Sequence, residues 1–124
     1  MIDFAYSFFT PTGRAKCRVR IFPNEGEPVV IVTELPDNPG MSVTNAIELI
    51  ATGLTNFHGF PPDRTTWVEH HPEREIAEGL LAEETFDIVT FRWERDRQGR
   101  WRADNPRWQH ITREGVERLA GHKL

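Results

Sequence analysis

The chain has 124 residues, a formal net charge of −4 and 38% hydrophobic residues; this length fits a single domain over 1–124, and the composition argues against global disorder. Its one cysteine, Cys17, excludes an internal disulfide and a zinc site built on cysteine pairs, and we expect it to be a small buried side chain. The first residues lack the basic and apolar regions of a signal peptide, and no apolar run approaches the ~18 residues of a membrane helix, so we expect a cytosolic protein that does not contact membranes.

The N-terminal third predicts a β-meander. Two segments, Phe4–Thr10 and Lys16–Phe22, alternate apolar and polar residues, and the Pro-Thr-Gly sequence at 11–13 between them is typical of a turn. The following segment, Val29–Val32, is apolar at every position. Because a strand that is covered on both faces has this pattern, we expect it to be the central strand.

The register of the first hairpin decides what its basic face does. A four-residue loop would pair Thr10 with Ala15 and direct three aromatic residues of the first strand into the core. A bulged three-residue turn would pair Thr10 with Arg14 and set those aromatics beside a basic row, on a face suited to stacking and anions. We expect the first register, because exposure would cost about 1.5–3 kcal/mol per aromatic side chain. The aromatics are Phe4, Tyr6 and Phe8, and the basic row is Arg14, Lys16, Arg18 and Arg20.

The clearest helix is predicted over about 42–56. Its apolar residues recur at spacings of three and one, as in a helix that buries one face, and Ser42 is a natural N-cap. The start of a helix exposes unpaired N–H groups and a partial positive charge, so Ser42, Thr44 and Asn45 are candidates for an anion site. The simpler interpretation is that Ser42 only caps the helix.

The second half of the chain predicts further strands and a short helix. Residues 73–84 are ambiguous, because a glycine interrupts a helical spacing. The predicted elements are strands at Thr65–His71 and Phe86–Trp93, a turn at 96–99, a short return strand at Arg100–Ala103 and a helix at about 113–120 capped by Thr112. This order predicts an α+β domain with a mostly antiparallel sheet of about five or six strands that starts with a β-meander.

Arginine and tryptophan alternate in the predicted hairpin at 91–102 and recur shortly after it. These residue types offer cations for phosphates and flat faces for bases, and they also dominate protein–protein hot spots. The structural alternative makes Trp93 and Trp101 cross-strand partners, with arginines stacked over them and paired with carboxylates. We predict a surface for a protein partner, with nucleic acid as the less favoured ligand. Its residues are Arg92, Trp93, Arg100, Trp101, Arg102, Arg107 and Trp108.

Glu69 and His71 fall on one face of a predicted strand, and His70 falls on the other. One carboxylate and one imidazole suit acid/base work, whereas a metal would need a further ligand. Candidates for that ligand are His58, Asp63 and His110. The structural alternative is a solvated strand end with ordinary ion pairs.

The charge distribution bears on the choice between these functions. Residues 1–91 contain six Lys and Arg against 14 Asp and Glu, whereas residues 92–124 contain nine against five. We therefore expect a small cytosolic binding or regulatory module that acts through the Arg/Trp-rich hairpin and the basic C-terminal segment, without a cofactor. The alternative is a small metal- or acid/base-dependent hydrolase that uses Glu69 and His71. Homodimerisation through a sheet edge is compatible with either function.

Overall fold

Six strands form one sheet in the computed structural model of the chain, which describes residues 1–36, 40–75 and 77–124. The strand order is β1-β2-β3-β4-β7-β8, only β3 and β4 run parallel, and β5 and β6 form a separate two-stranded sheet. These strands confirm the predicted α+β class with a mostly antiparallel sheet. The elements are β1 (Ile2–Thr10), β2 (Gly13–Phe22), β3 (Val29–Thr33), α1 (Val43–His58), β4 (Thr66–His71), β5 (Arg74–Glu75), β6 (Leu81–Ala82), β7 (Thr85–Arg95), β8 (Trp101–Ile111) and α2 (Arg113–Ala120).

Helix α1 begins within one residue and ends within two residues of the predicted bounds. The Asn45 N–H donates to Ser42 Oγ at 3.1 Å, so Ser42 caps the helix, and Gly59 ends it in the left-handed conformation. The apolar stripe is buried against the sheet. Because α1 carries the chain from β3 across to β4, these two strands are parallel. In the described part of the chain, neither helix has the length and apolar character needed to cross a membrane.

Strand β3 lies between two hydrophobic cores. Val30 and Val32 face the core beneath α1, whereas Val29 and Ile31 face a second core beneath α2. All four side chains are buried. The central position that the uninterrupted apolar run predicts is therefore confirmed. The shorter helix α2 is capped by Thr112, whose hydroxyl accepts from the Gly115 N–H, and it packs on the second core.

The sheet curves around α1 so strongly that both of its edge strands contact the same part of the helix. On β8, the backbone of Trp101 is hydrogen-bonded to the side chain of Asn56. On β1, the Tyr6 hydroxyl lies so close to Gly53 that a methyl group there would overlap it. Since β1 and β8 are the two ends of the strand order, α1 fills the concave side of the sheet and α2 lies on the convex side.

Both predicted registers of the first hairpin are wrong, although the expected faces are correct. A two-residue turn pairs Thr10 with Gly13 and Phe8 with Ala15, which shifts the preferred register by two residues. A shift of two keeps every side chain on its face. Phe4, Tyr6 and Phe8 therefore pack on the α1 side.

The return strand of the second hairpin is longer than predicted. It runs past Ala103 to Ile111 because a bulge at Asn105 and Pro106, opposite Phe91, absorbs the proline. Asn105 has a φ of 51°, a left-handed conformation that asparagine tolerates better than most residues.

The register of this hairpin also shows that the tryptophan pair of the structural alternative does not form. Trp93 is paired with Ala103 and Trp101 with Arg95, so the two tryptophans are not cross-strand partners. They still share the α1 face of the sheet, because they are two positions apart in the ladder.

Candidate functional site

The predicted tryptophans do not form one exposed surface. Trp93 is half-buried and lies between core rings, with its centroid 6.4 Å from that of Trp67 and 5.7 Å from that of Phe91. Trp101 is half-buried at the start of β8, whereas Trp108 lies beyond the bulge, opposite Val89, and is 38% exposed. The structure therefore separates Trp108 from the other two.

The arginines of the β7–β8 hairpin are exposed, and two of them lie within 4.0 Å of a carboxylate. Arg92 lies 2.5 Å from Glu94, and Arg100 lies 4.0 Å from Asp96. The Arg95 guanidinium stacks over the Trp101 ring at 4.3 Å. Exposed ion pairs of this kind contribute about 0–1 kcal/mol each, so these side chains remain available to a partner. The exposed Arg102 and Arg107 lie opposite Glu94 and Thr90.

The hairpin and helix α1 together form a surface that sequence analysis missed. We call it the α1–β8 surface, and it comprises Leu49, Thr52, Asn56, Phe57, Arg100, Trp101 and Arg102. Two adjoining hollows of about 260 and 250 Å³ lie along it and share Thr52 and Arg102. Phe57 is 80% exposed and Leu49 is 44% exposed. Phe57 continues the spacing of the buried apolar residues of α1, so the sequence pattern predicts that it is buried. Only the folded structure shows that it is exposed.

The three residues of the predicted anion site have different surroundings. The Ser42 hydroxyl accepts the Asn45 N–H as the helix cap. Thr44 is half-buried, and the exposed Asn45 side chain borders the 260 Å³ hollow. Ser42 therefore has a structural role that needs no ligand.

Four titratable side chains meet on the α1 face of the sheet. Glu69 pairs across the strands with Asp87, and Asp87 pairs with His110. His71 Nδ1 lies 3.7 Å from Glu69 Oε1, and His110 Nδ1 lies 2.5 Å from Asp87 Oδ1. Besides Glu69 and His71, the cluster therefore contains His110, which is one of the candidates from the sequence, and Asp87, which the sequence did not indicate. The alternation of side chains along the strand places Asp87 on the same face as Val89, and this much is visible in the sequence. That Asp87 lies opposite Glu69 depends on the register between the two strands, which the sequence does not show.

The environment of Glu69 favours its protonated form. Burial raises the pKa of this carboxyl above its usual range, the charge of Asp87 raises it further, and His71 opposes both effects. A carboxyl that holds its proton to higher pH than usual is suited to act as a general acid. In the part of the chain that the structure describes, no group of three or more His, Cys, Asp and Glu side chains is arranged to hold a metal ion.

His70 lies on the opposite face, as its position in the strand predicts. Its Nε2 lies 2.8 Å from Glu84 Oε1, and its Nδ1 lies 3.2 Å from Thr33 Oγ1. Arg113, at the start of α2, donates to the same Glu84 carboxylate at 2.6 Å. Burial lowers the pKa of His70 below its usual value, against the opposing effect of Glu84. This chain of contacts attaches α2 to the sheet.

Cys17 is buried in the core beneath α1, as expected. Burial raises the pKa of its thiol to about 12, so the reactive thiolate is scarce at neutral pH. The chain therefore carries no activated cysteine nucleophile.

No family model, no curated protein and no solved structure matches the chain. Two features then remain as candidates, the α1–β8 surface and the Glu69–Asp87 cluster with its two histidines. They differ in chemistry, since the first is apolar with arginines and the second pairs the buried Glu69 carboxyl with the half-buried Asp87 carboxyl.

Proposed function

We propose that this chain is a small binding or regulatory module of the cytosol that recognises a protein partner through the α1–β8 surface and the arginines of the adjoining hairpin. The observation that carries the proposal is the position of Phe57, which is 80% exposed on the same hollow as Trp101 and Arg100. Exposed large apolar residues that cluster are unfavourable in an isolated protein. Aromatic and arginine side chains of this kind are also enriched in the energetic centres of protein interfaces.

The local charge favours a protein over nucleic acid at this surface. Arg92 and Arg100 each face a carboxylate, Glu94 and Asp96. Arg102 lies near Glu48, which also borders the hollow. A polyanion would meet these carboxylates as well as the arginines, and such repulsion weakens phosphate binding. A partner with mixed charge and an apolar anchor has no such penalty.

The proposal can be tested by placing a photo-cross-linking amino acid at position 57. The matched control is position 119, because Leu119 is also an exposed apolar residue, 39% exposed, but lies on α2. We expect one protein to be captured from position 57 and not from position 119, and to bind the purified chain in isolation. Equal capture from both positions, or a captured protein that does not bind the purified chain, would contradict the proposal.

A second candidate function is acid/base hydrolysis at Glu69 and His71. The specific observation in its favour is that Asp87 and His110 lie beside them, so two carboxylates with different surroundings share one face. Pairs of this kind divide acid and base roles in several hydrolase classes. In this proposal water attacks the substrate and gives a proton to Asp87, Glu69 donates a proton to the leaving group, and His71 positions the Glu69 carboxyl.

The matched variants for this candidate are Glu69→Gln and Glu27→Gln. Each replaces one glutamate carboxylate by an amide, and Glu27 is exposed in the loop before β3. We expect turnover of at least one compound in a panel of chromogenic esters, phosphates and glycosides, with loss in Glu69→Gln and retention in Glu27→Gln. Absence of turnover across the panel, or equal turnover in the two variants, would count against a hydrolase.

A further inference from the structure

The convex face of β2 carries a row of basic side chains. Arg14, Lys16, Arg18 and Arg20 alternate along the strand with residues that face α1. Arg18 is paired with Asp3 at 2.8 Å. With the residues that the structure describes, the other three form no ion pair within 4.0 Å. In a chain of net charge −4, these cations are concentrated on one strand face.

An exposed aromatic ring lies at one end of this basic row. Phe9 is 73% exposed and stands opposite Arg14, whose guanidinium lies 5.6 Å from the ring centroid. Its neighbours on the same face of β1, Ala5 and Ser7, are small and exposed. The ring, Arg14 and Lys16 are exposed and Arg20 is half-buried, so this face of the hairpin is accessible to one ligand that runs along it.

From these observations we propose that the convex face of the β1–β2 hairpin binds single-stranded nucleic acid. Residues two apart on a strand are about 6.6–6.8 Å apart, so the four cations extend over about 20 Å and can follow several consecutive phosphates. Proteins that bind single strands combine such a basic track with aromatic side chains on which bases stack. In this arrangement Arg14, Lys16 and Arg20 contact phosphates, and Phe9 stacks on a base.

This face is separate from the surface in the proposed function. Phe57 and Trp101 lie at α1 and β8, on the concave side, whereas Phe9 and Lys16 lie on the convex side. The two proposals can therefore fail independently. A Phe57→Ser variant is expected to bind nucleic acid as the parent chain does.

The test is fluorescence anisotropy with labelled oligothymidylate and oligouridylate of about 20 nucleotides, longer than the 4–16 nucleotides that a small single-strand-binding domain covers. The two probes distinguish DNA from RNA. The parent chain should bind at least one of them, and its affinity should fall about tenfold or more between about 50 and 200 mM salt.

Lys16→Glu and Arg64→Glu form a matched pair, since each reverses one charge at an exposed position that has no ion pair with a described residue. Lys16→Glu should weaken binding at least about tenfold and make the salt dependence shallower by about 0.7 in logarithmic slope, whereas Arg64→Glu should change affinity less than about threefold. Equal effects of the two reversals would overturn the proposal, as would no binding by the parent chain.

Phe9→Ala distinguishes stacking from simple attraction of polyanions. We expect it to weaken oligonucleotide binding about tenfold and to leave binding of heparin unchanged. If Phe9→Ala has no effect, or if a duplex of the same length binds as tightly as the single strand, the face is a general anion surface and the proposal is wrong.

Discussion

The side chain of Asn56 hydrogen-bonds both backbone polar groups of Trp101: its Nδ2 donates to the Trp101 carbonyl at 2.8 Å, and its Oδ1 accepts the Trp101 N–H at 2.8 Å. Asn56 thus occupies the place of a neighbouring strand at the edge of β8. Unpaired edges promote aggregation, and this contact closes the edge next to the hairpin turn. It also fixes the position of Trp101 relative to Phe57 on the α1–β8 surface.

Asn56→Ala is therefore expected to lower the free energy of unfolding by about 2–3 kcal/mol, because two backbone groups lose their partner. Urea denaturation measures this change. Thr52→Ala is the control, since Thr52 lies one turn earlier on the same face of α1 and makes no side-chain hydrogen bond with a described residue. A loss in Asn56→Ala no larger than in Thr52→Ala would show that the edge contact is not formed in solution.

The contact between β1, the other edge strand, and α1 leads to a second prediction. Alanine is favoured over glycine in a helix by about 1 kcal/mol, yet Gly53→Ala should destabilise the chain because its methyl group would overlap the Tyr6 hydroxyl. In the Tyr6→Phe background the hydroxyl is absent, and the nearest ring carbon lies 3.5 Å from the new methyl group. There Gly53→Ala should instead stabilise by up to about 1 kcal/mol. If Gly53→Ala changes the free energy of unfolding in the same direction in both backgrounds, that result would contradict the curvature of the sheet around α1.

Stability should depend on the protonation of His70. Burial lowers the folded-state pKa of His70 below the unfolded value, with Glu84, Arg20 and Arg113 around the ring. A depressed pKa means that the folded state disfavours the protonated imidazole. The contribution of His70 to stability is therefore fully present above about pH 6.5 and is lost as pH falls through the folded-state pKa. Between about pH 7 and pH 5, the melting temperature should therefore fall more steeply for the parent chain than for His70→Gln. Parallel curves would show that His70 does not carry the effect.

The contribution of Glu69 to stability should change with pH in the opposite direction. Burial raises its folded-state pKa, so its contribution to stability is present below about pH 4.5 and is lost as pH rises through that folded-state pKa. Glu69→Gln removes the buried charge and should raise the melting temperature at pH 7 but not at pH 4. A variant that is less stable at pH 7 would mean that the carboxylate is stabilised there by contacts that outweigh its burial.

Local chemistry predicts much of the fold, because the relevant signals act over a few residues. The spacing of apolar residues and the Ser42 cap define α1, and the uninterrupted apolar run from Val29 to Val32 marks the central strand. Burial also places Phe4 and Tyr6 on the correct face of β1. A register shift of two preserves that face, so burial alone cannot distinguish the two-residue turn from a longer loop.

The site depends on contacts between distant segments, and these escape local patterns. Asp87 joins Glu69 only through the register of β7 on β4. Phe57 has the spacing of a core residue, yet it is 80% exposed. Asn105 and Pro106 indicate the end of a strand in the sequence, whereas a bulge allows β8 to continue through them.

Calorimetry of the captured partner with Phe57→Ser, Leu119→Ser and the parent chain measures how much the exposed Phe57 side chain contributes to binding. Both substitutions replace an exposed apolar side chain, so each should change the free energy of unfolding by less than about 0.5 kcal/mol. We predict that Phe57→Ser weakens binding by about 2 kcal/mol or more, roughly a 30-fold rise in Kd, while Leu119→Ser changes Kd less than about threefold. Equal affinities of the two variants would contradict a binding site on the α1–β8 surface.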